Sequence, residues 1–123
     1  MEKLSAESLK AAVQGRPQQV CSCALGACTG WESFTEERWP KDQMQPVGTL
    51  RDVDIYEATT DEYHSDGTRY ESPTAPIAVN YFPYNRCDVH GCTQCHRVLL
   101  RYTEFGGYYV DHRVREVNPA LVV

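Results

Sequence analysis

Residues 98–115 read Val98-Leu99-Leu100-Arg101-Tyr102-Thr103-Glu104-Phe105-Gly106-Gly107-Tyr108-Tyr109-Val110-Asp111-His112-Arg113-Val114-Arg115, and this stretch decides the fold. Along both arms, mostly apolar side chains alternate with mostly polar ones, and this two-residue period is typical of a half-buried β-strand. The Gly106-Gly107 pair between the arms is a turn signal, because glycine adopts the conformations that a tight hairpin needs. The pattern predicts a long β-hairpin. The apolar face of its first arm carries Val98, Leu100 and Tyr102, and that of its second arm carries Tyr108, Val110, His112 and Val114.

The segment before the hairpin, Cys87-Asp88-Val89-His90-Gly91-Cys92-Thr93-Gln94-Cys95-His96, is rich in metal-ligand residue types. Thiolates and imidazoles are the ligands that tetrahedral zinc takes in proteins. We expect Cys92 and Cys95 to form a knuckle that leads into the hairpin, as in zinc-ribbon and treble-clef modules, where turn N–H groups stabilise the thiolates. Cys87, further upstream, is predicted to fold back and supply a third thiolate.

The fourth zinc ligand is open at this point. A first cysteine cluster, Cys21, Cys23 and Cys28, either supplies it or forms a second site with a histidine. One shared zinc is favoured, because a metal that joins segments about sixty residues apart restricts the unfolded chain most. His112 is a further candidate, since it lies across the hairpin from the knuckle. The alternatives are that His112 is an ordinary core histidine and that some first-cluster thiols are small buried hydrophobes.

The redox state of the cellular compartment determines whether these cysteines remain thiols. The start of the chain has no apolar signal-peptide core, and no apolar run approaches the ~20 residues of a membrane span. We therefore expect a soluble cytoplasmic protein without membrane contact, in a reducing compartment where clustered cysteines more often bind metal than form disulfides. Three disulfides are the alternative, but the short spacing within each cluster would close only small loops, which restricts the unfolded chain little.

The whole chain, 1–123, fits a single metal-binding domain of the α+β class with antiparallel hairpins and a zinc-ribbon or treble-clef-like knuckle. Its predicted parts are an N-terminal helix in 1–15, a Cys/Trp-rich loop region in 16–46, an acidic strand and turn region in 47–86, and the knuckle with its hairpin in 87–117.

The sequence predicts one helical segment near each end of the chain. Ser5 is placed to cap the first helix, with Leu4 packing onto Leu9, and Gly15 is placed to stop it. Asn118-Pro119 can begin a last helical turn near the C-terminus.

The middle of the chain carries weaker signals. Alternation around Val53 and Ile55 predicts a half-buried strand, and Asp66-Gly67 predicts the turn of a second, tight hairpin within 63–70. We expect three aromatic residues to form a small core around the first cysteine cluster: Trp31, Phe34 and Trp39.

The charge distribution along the chain limits the kinds of partner that the protein is expected to bind. Residues 32–71 hold eleven acidic and four basic side chains, a net charge of −7, while the whole chain carries −5. Nucleic-acid binding is disfavoured because it needs a basic surface. The acidic segment favours a cationic protein partner, which it would steer electrostatically. A solvated surface that keeps the protein soluble is the alternative explanation.

Other chemistries fit the cysteines less well. Residues 92–96 match the c-type haem pattern C-x-x-C-H, but only Met1 and Met44 are present as methionine axial ligands, and strand pattern follows directly. An iron–sulfur cluster is allowed by six cysteines. No deaminase or H-E-x-x-H signature is present. The sequence thus predicts a structural zinc in a protein-binding module, with a small zinc-dependent or Cys-based redox enzyme as the alternative.

Two runs carry a resemblance, Phe82-Pro83-Tyr84-Asn85-Arg86-Cys87-Asp88-Val89 and residues 101–113. They resemble small uncharacterised bacterial Cys/His-rich proteins, some of the immunity-protein type. The resemblance implies no catalytic residues. It implies an acidic immunity-type protein that masks a cationic toxin.

Overall fold

The structure is a computed structural model that describes residues 2–15, 26–52, 54, 59–64, 67–106 and 109–123. Within these residues it is a small α+β domain with one α-helix and one five-stranded antiparallel sheet, which confirms the predicted α+β class and N-terminal helix. The strands lie in the order β1-β5-β4-β3-β2, with β4 at the centre. In chain order the elements are α1 (Ala6–Gln14), β1 (Glu32–Phe34), β2 (Met44–Thr49), β3 (Asp88–Cys92), β4 (Val98–Gly106) and β5 (Tyr109–Glu116).

Helix α1 begins where the sequence predicts it. The Ser5 hydroxyl accepts a hydrogen bond from the Ser8 N–H at 3.1 Å, and the Ser8 hydroxyl accepts one from the Ser5 N–H at 2.6 Å. These two bonds form a capping box, which satisfies backbone donors that the first turn leaves open. Leu4 and Leu9 are both buried in the larger core, so the capped helix is tied to the sheet through them.

The predicted long hairpin is present as β4 and β5, which pair along their length without a register shift. At its base Val98, Leu99 and Leu100 are all buried, because both faces of the sheet are covered there. Near the turn Phe105 is 77 % exposed and Val110 is 56 % exposed. The hairpin is therefore buried at its base and exposed at its tip, and Val110, predicted on an apolar face, is exposed. Because Leu100 pairs with Arg115 and Val114 pairs with Arg101, the apolar residues predicted for the two arms lie on opposite faces of the sheet.

Two clusters of buried side chains lie on opposite faces of the sheet, since neighbouring residues of a strand point to opposite sides. The larger cluster contains Val89 and Leu100 together with Leu9 of the helix. The smaller cluster confirms the predicted packing of aromatics around a cysteine of the first cluster, with the members Cys28, Phe34, Trp39, Leu99 and Val114. Trp31 departs from that prediction. It packs against the larger cluster and contacts the rings of Tyr70, Tyr84 and Tyr102.

Arg115 of β5 is 1 % exposed, although the sequence pattern places it on the polar face of the hairpin. Its guanidinium donates to the Thr29 carbonyl at 3.3 Å, the Pro73 carbonyl at 3.1 Å and the Ala75 carbonyl at 2.9 Å. It also donates to the Tyr84 hydroxyl. Burial raises the pKa of Tyr84, so that phenol stays neutral. Arg115 therefore holds three separate chain segments against β5 through one buried cation.

The C-terminal segment closes the larger core. Pro119–Leu121 form a 3₁₀ turn, and the Asn118 side chain caps it by accepting from the Ala120 N–H at 3.0 Å. This confirms the predicted last helical turn. Beyond it, Val122 is buried and forms a parallel bridge with Ile77.

Two predictions for the middle of the chain need correction. Strand β2 begins at Met44, inside the segment predicted as loop, and Pro46 is tolerated there because β2 is an edge strand. The predicted tight hairpin within 63–70 has no strand in its described residues, 63–64 and 67–70, and its turn residue Asp66 lies outside the described residues. The physical reason is that its aromatic arms pack elsewhere, Tyr63 on Tyr81 and Tyr70 on Trp31. The predicted strand around Val53 and Ile55 falls on residues outside the described ones.

Among the residues that the structure describes, no helix is long and apolar enough to cross a bilayer.

Replacing the buried arginine tests its role in the fold. We expect Arg115→Met to lower the free energy of unfolding by about 3 kcal/mol, because methionine fills the space but leaves buried carbonyls without donors. Urea denaturation followed by tryptophan fluorescence measures the change. The matched control is Arg38→Met, whose side chain is exposed and stacks on Phe34, and it should cost under about 1 kcal/mol. Equal stability of Arg115→Met and the unmodified protein would contradict this role.

Candidate metal centre

The turn from Cys92 to Cys95 connects β3 to β4. Cys92 is the last residue of β3, and its N–H donates to the Arg97 carbonyl at 3.0 Å. The His96 N–H donates back to the Cys92 carbonyl at 2.9 Å, which closes the turn. The cysteine side chains are 0 % and 1 % exposed. The turn therefore holds both sulfurs inside the protein, at one end of the β3–β4 pair.

The Gly26–Cys28 segment reaches the same end of the sheet. The Cys28 carbonyl accepts a hydrogen bond from the Glu116 N–H at 2.8 Å, at the end of β5 that pairs with the start of β4. Arg97, which follows the C-x-x-C turn, donates through Nη1 to the Gly26 carbonyl at 2.5 Å. Cys28 is fully buried. The structure thus brings one member of the first cysteine cluster to the end of the sheet where the C-x-x-C turn lies.

Cys28 and Cys92 also belong to the same face of the sheet. Cys92 pairs with Met44 of β2, and side chains of directly paired residues point to the same side. Met44 packs against the smaller core cluster, and Cys28 is a member of that cluster. We call this region, formed by the Gly26–Cys28 segment and the turn from Cys92 to Cys95, the cysteine corner.

Backbone strain is concentrated at the cysteine corner. Among the described residues, the non-glycine residues with positive φ are Cys28 at 50° and His96 at 62°. Residues with side chains adopt this region at a cost of about 1 to 3 kcal/mol, and such strain tends to collect at functional sites. Both strained residues are a cysteine or the direct neighbour of one, so the strain coincides with the candidate ligands.

Arg97 is the residue of the cysteine corner that the sequence did not identify. Its side chain is only 6 % exposed, and its Nη1 lies 4.0 Å from the Glu116 carboxylate. Burial raises the pKa of Glu116, which the Arg97 charge opposes. Nothing in the sequence distinguishes this arginine from the eight others except its position directly after C-x-x-C-H.

Cys87 lies apart from the cysteine corner. It is fully buried in the larger core with Val89 and Leu100, on the face opposite to Cys92, and its sulfur donates to the Pro83 carbonyl at 3.3 Å. Five residues of a strand span roughly 16 Å, whereas two sulfurs on one zinc lie within about 4 Å of each other. Burial raises the pKa of the Cys87 thiol well above its ordinary value. The structure therefore gives Cys87 the surroundings of a neutral core thiol.

His112 is on the same face as Cys92 but far along the sheet. It pairs with Thr103 of β4, six residues beyond Arg97, which is roughly 20 Å in an extended strand. Its Nδ1 lies 3.2 Å from the Thr103 hydroxyl, and its Nε2 lies 3.3 Å from a Glu36 carboxylate oxygen. The structure thus places His112 in a polar network rather than at the cysteine corner.

The ligand set is incomplete within the described residues. No three Cys, His, Asp or Glu side chains among them form a group that could hold a metal ion. Cys21 and Cys23 fall in 16–25, outside the described residues, so their part in the predicted site stays a prediction. Of the predicted ligands, Cys28, Cys92 and Cys95 lie at the same end of the sheet, whereas Cys87 lies in the larger core and His112 pairs with Thr103 further along β4.

Comparison with known proteins adds no relative to these observations. Neither the family models nor the curated proteins nor the solved structures contain a match to this chain.

Glu36 is the centre of the polar network that contains His112. Its carboxylate accepts from Arg101 at 2.6 Å and lies 3.6 Å from Lys41 Nζ. The hydrogen bond from Arg101 is the main cause that lowers the pKa of Glu36 below its ordinary value of 4.5. The charged form of Glu36 therefore stabilises the folded protein.

Because folding lowers the pKa of Glu36, the contribution of this carboxylate to stability is expected to depend on pH. A carboxyl whose pKa is lowered by folding contributes stability above its unfolded pKa, and the contribution is lost as the pH falls through the folded value. We expect Glu36→Gln to lower the free energy of unfolding at pH 7 by less than about 1 kcal/mol, as for partly exposed ion pairs. The deficit should shrink below pH 4.5. Urea denaturation across this range measures it, and the neighbouring exposed Glu37→Gln is the control. A deficit that grows on acidification would contradict the assignment.

Proposed function

We propose that this protein is a protein-binding module built on a structural zinc site at the cysteine corner. Cys92 and Cys95 supply two thiolates from the turn between β3 and β4. Cys28 and either Cys21 or Cys23 supply the other two from the first cluster. Four cysteines complete the closed tetrahedral coordination that structural zinc sites have. Cys87 and His112 are not part of this ligand set.

The observation that carries the proposal is the convergence of two distant cysteine segments on one buried corner. The Gly26–Cys28 segment is held there by hydrogen bonds to Arg97 and Glu116, and Cys28, Cys92 and Cys95 are each at most 1 % exposed. The strained backbone at Cys28 and His96 needs a compensating interaction. Metal–thiolate bonds would provide it, and they would tie the N-terminal part of the chain to the end of the sheet.

A binding role is supported over catalysis by the burial of the sulfurs. Catalytic zinc keeps an open coordination position for water, and a nucleophilic cysteine is partly exposed with a lowered pKa. The described cysteines are buried, and the pKa of Cys87 is raised. A small redox or zinc-dependent enzyme remains the alternative, and solvent access of a zinc-bound water would distinguish it.

We further propose a cationic protein as the partner. Its support is the acidic segment, in which the described carboxylate side chains are largely exposed: Glu37, Asp42, Asp52, Asp54, Asp61, Glu62 and Glu71. Exposed carboxylates of one sign raise the association rate of a basic partner. An immunity-type protein that neutralises a cationic toxin is one form that this role would take.

Metal content of cysteine variants tests the zinc site. We expect about one zinc per chain in the unmodified protein, and near-complete loss in Cys92→Ser and Cys95→Ser, because serine does not replace a thiolate ligand. Cys28→Ser should weaken zinc binding in competition with a chelator. Elemental analysis of the purified full-length proteins measures the content.

Cys87→Ser is the matched control for these variants. It is as buried as the proposed ligands, and a serine hydroxyl can keep the hydrogen bond to the Pro83 carbonyl. It should retain full zinc content even if it lowers stability. Full zinc content in Cys92→Ser and Cys95→Ser, or loss of zinc in Cys87→Ser alone, would overturn the proposed site.

A further inference from the structure

Two exposed tyrosines from distant parts of the chain meet on the surface. The ring centroids of Tyr63 and Tyr81 are 5.5 Å apart, and the two ring planes are inclined by 37°. Tyr63 is 44 % exposed and Tyr81 is 41 % exposed. Tyrosine is enriched at protein–protein interfaces, because its ring gives a large apolar contact while its hydroxyl stays hydrated. We call these two rings, together with the neighbouring carboxylates of Asp61 and Glu62, the tyrosine patch.

The two segments that carry the tyrosines are joined by hydrogen bonds that do not involve the rings. The N–H of Phe82, directly after Tyr81, donates to the Asp61 carbonyl at 2.9 Å. The Asn85 side-chain amide donates to the Thr59 carbonyl at 2.9 Å. The tyrosine patch is therefore formed before any partner arrives, which reduces the entropy cost of binding. A ring can also be replaced without removing the bonds that join the segments.

The ring faces of the tyrosine patch are accessible to a cation from outside. Within the described residues, the rings that have an arginine guanidinium over them are other ones: Phe34, Trp39, Tyr70, Phe82 and Tyr84. Arg86, the basic residue nearest to Tyr81 in the sequence, has its guanidinium 5.8 Å from the Phe82 ring. The face of an aromatic ring is the negative end of its quadrupole, so it attracts cations.

The charge beside the rings has the same preference. Asp61 and Glu62 directly precede Tyr63, and both residues are exposed. Glu62 lies 2.9 Å from Nε2 of His64. In the part of the chain that the structure describes, no basic side chain forms a salt bridge with Asp61. Ring faces and carboxylates together favour a cation and disfavour a phosphate group.

We propose that the tyrosine patch binds an arginine side chain of the cationic partner protein. The guanidinium would lie over a tyrosine ring and pair with the Asp61 carboxylate. Aromatic residues in such positions often carry a large share of the binding energy of an interface. The inference rests on the proposed cationic partner and names its docking surface, but it does not depend on the zinc site.

Arginine suits the tyrosine patch better than lysine does. A planar guanidinium can lie flat on a ring while its N–H groups donate to a carboxylate in its own plane. The lysine ammonium is compact and strongly hydrated, so it gains less from a ring face. Both side chains carry one positive charge. The difference in affinity between them therefore reports on the rings, and the attraction that they share reports on the carboxylates.

Model peptides of equal charge test the role of the rings. The probes are fluorescein-labelled hexapeptides of alternating glycine and arginine, or of alternating glycine and lysine, added to the full-length protein as purified. Anisotropy should show about threefold tighter binding of the arginine peptide, as expected for one exposed cation–π contact. Replacing Tyr63 and Tyr81 together by leucine should remove this preference, whereas replacing both by phenylalanine should keep it. Phe105→Leu, at an exposed aromatic residue outside the patch, should also keep it.

The role of the carboxylate is tested with the same two peptides. Asp61→Asn should weaken the binding of both by a similar factor of about three, as for one exposed charge pair. Asp42→Asn is the matched control, because Asp42 is an exposed carboxylate outside the tyrosine patch, and it should leave both affinities unchanged.

The outcomes separate this docking surface from the rest of the proposed function. An arginine peptide that does not bind would overturn the docking surface and also contradict a cationic partner. Equal affinity for the two peptides, or an arginine preference that survives the double leucine substitution, would overturn the docking surface alone. Zinc content should be the same in all of these variants, since they leave every cysteine in place.

Discussion

The buried guanidinium of Arg115 is the interaction on which the rest of the structure depends. The chain is rich in irregular segments, and two of them meet at this one side chain through the carbonyls of Thr29, Pro73 and Ala75, with a third reached through the Tyr84 hydroxyl. An arginine supplies five donors in a fixed planar arrangement, so it can fix several carbonyls that no strand satisfies. Without it, the Thr29 carbonyl, directly after Cys28, would lose its side-chain hydrogen bond from β5.

The sequence predicted the features that depend on local pattern. Alternation and a Gly-Gly turn were sufficient for the β4–β5 hairpin, and Ser5 with Leu4 and Leu9 was sufficient for the start of the helix. Long-range packing was not predictable in this way. Cys87 looks like a ligand because it is close in sequence to Cys92, but an extended strand carries it away and onto the other face. Arg115 looks exposed because its position alternates with Val114, yet the irregular segments cover both faces of the sheet.

The identity of the atoms around the metal tests the central claim most directly. X-ray absorption at the zinc edge of the purified full-length protein measures the type and number of ligands without any substitution. We expect a sulfur shell at about 2.3 Å, filled by four thiolates. Protein without zinc, or a zinc surrounded mainly by nitrogen and oxygen at about 2.0 Å, would contradict it.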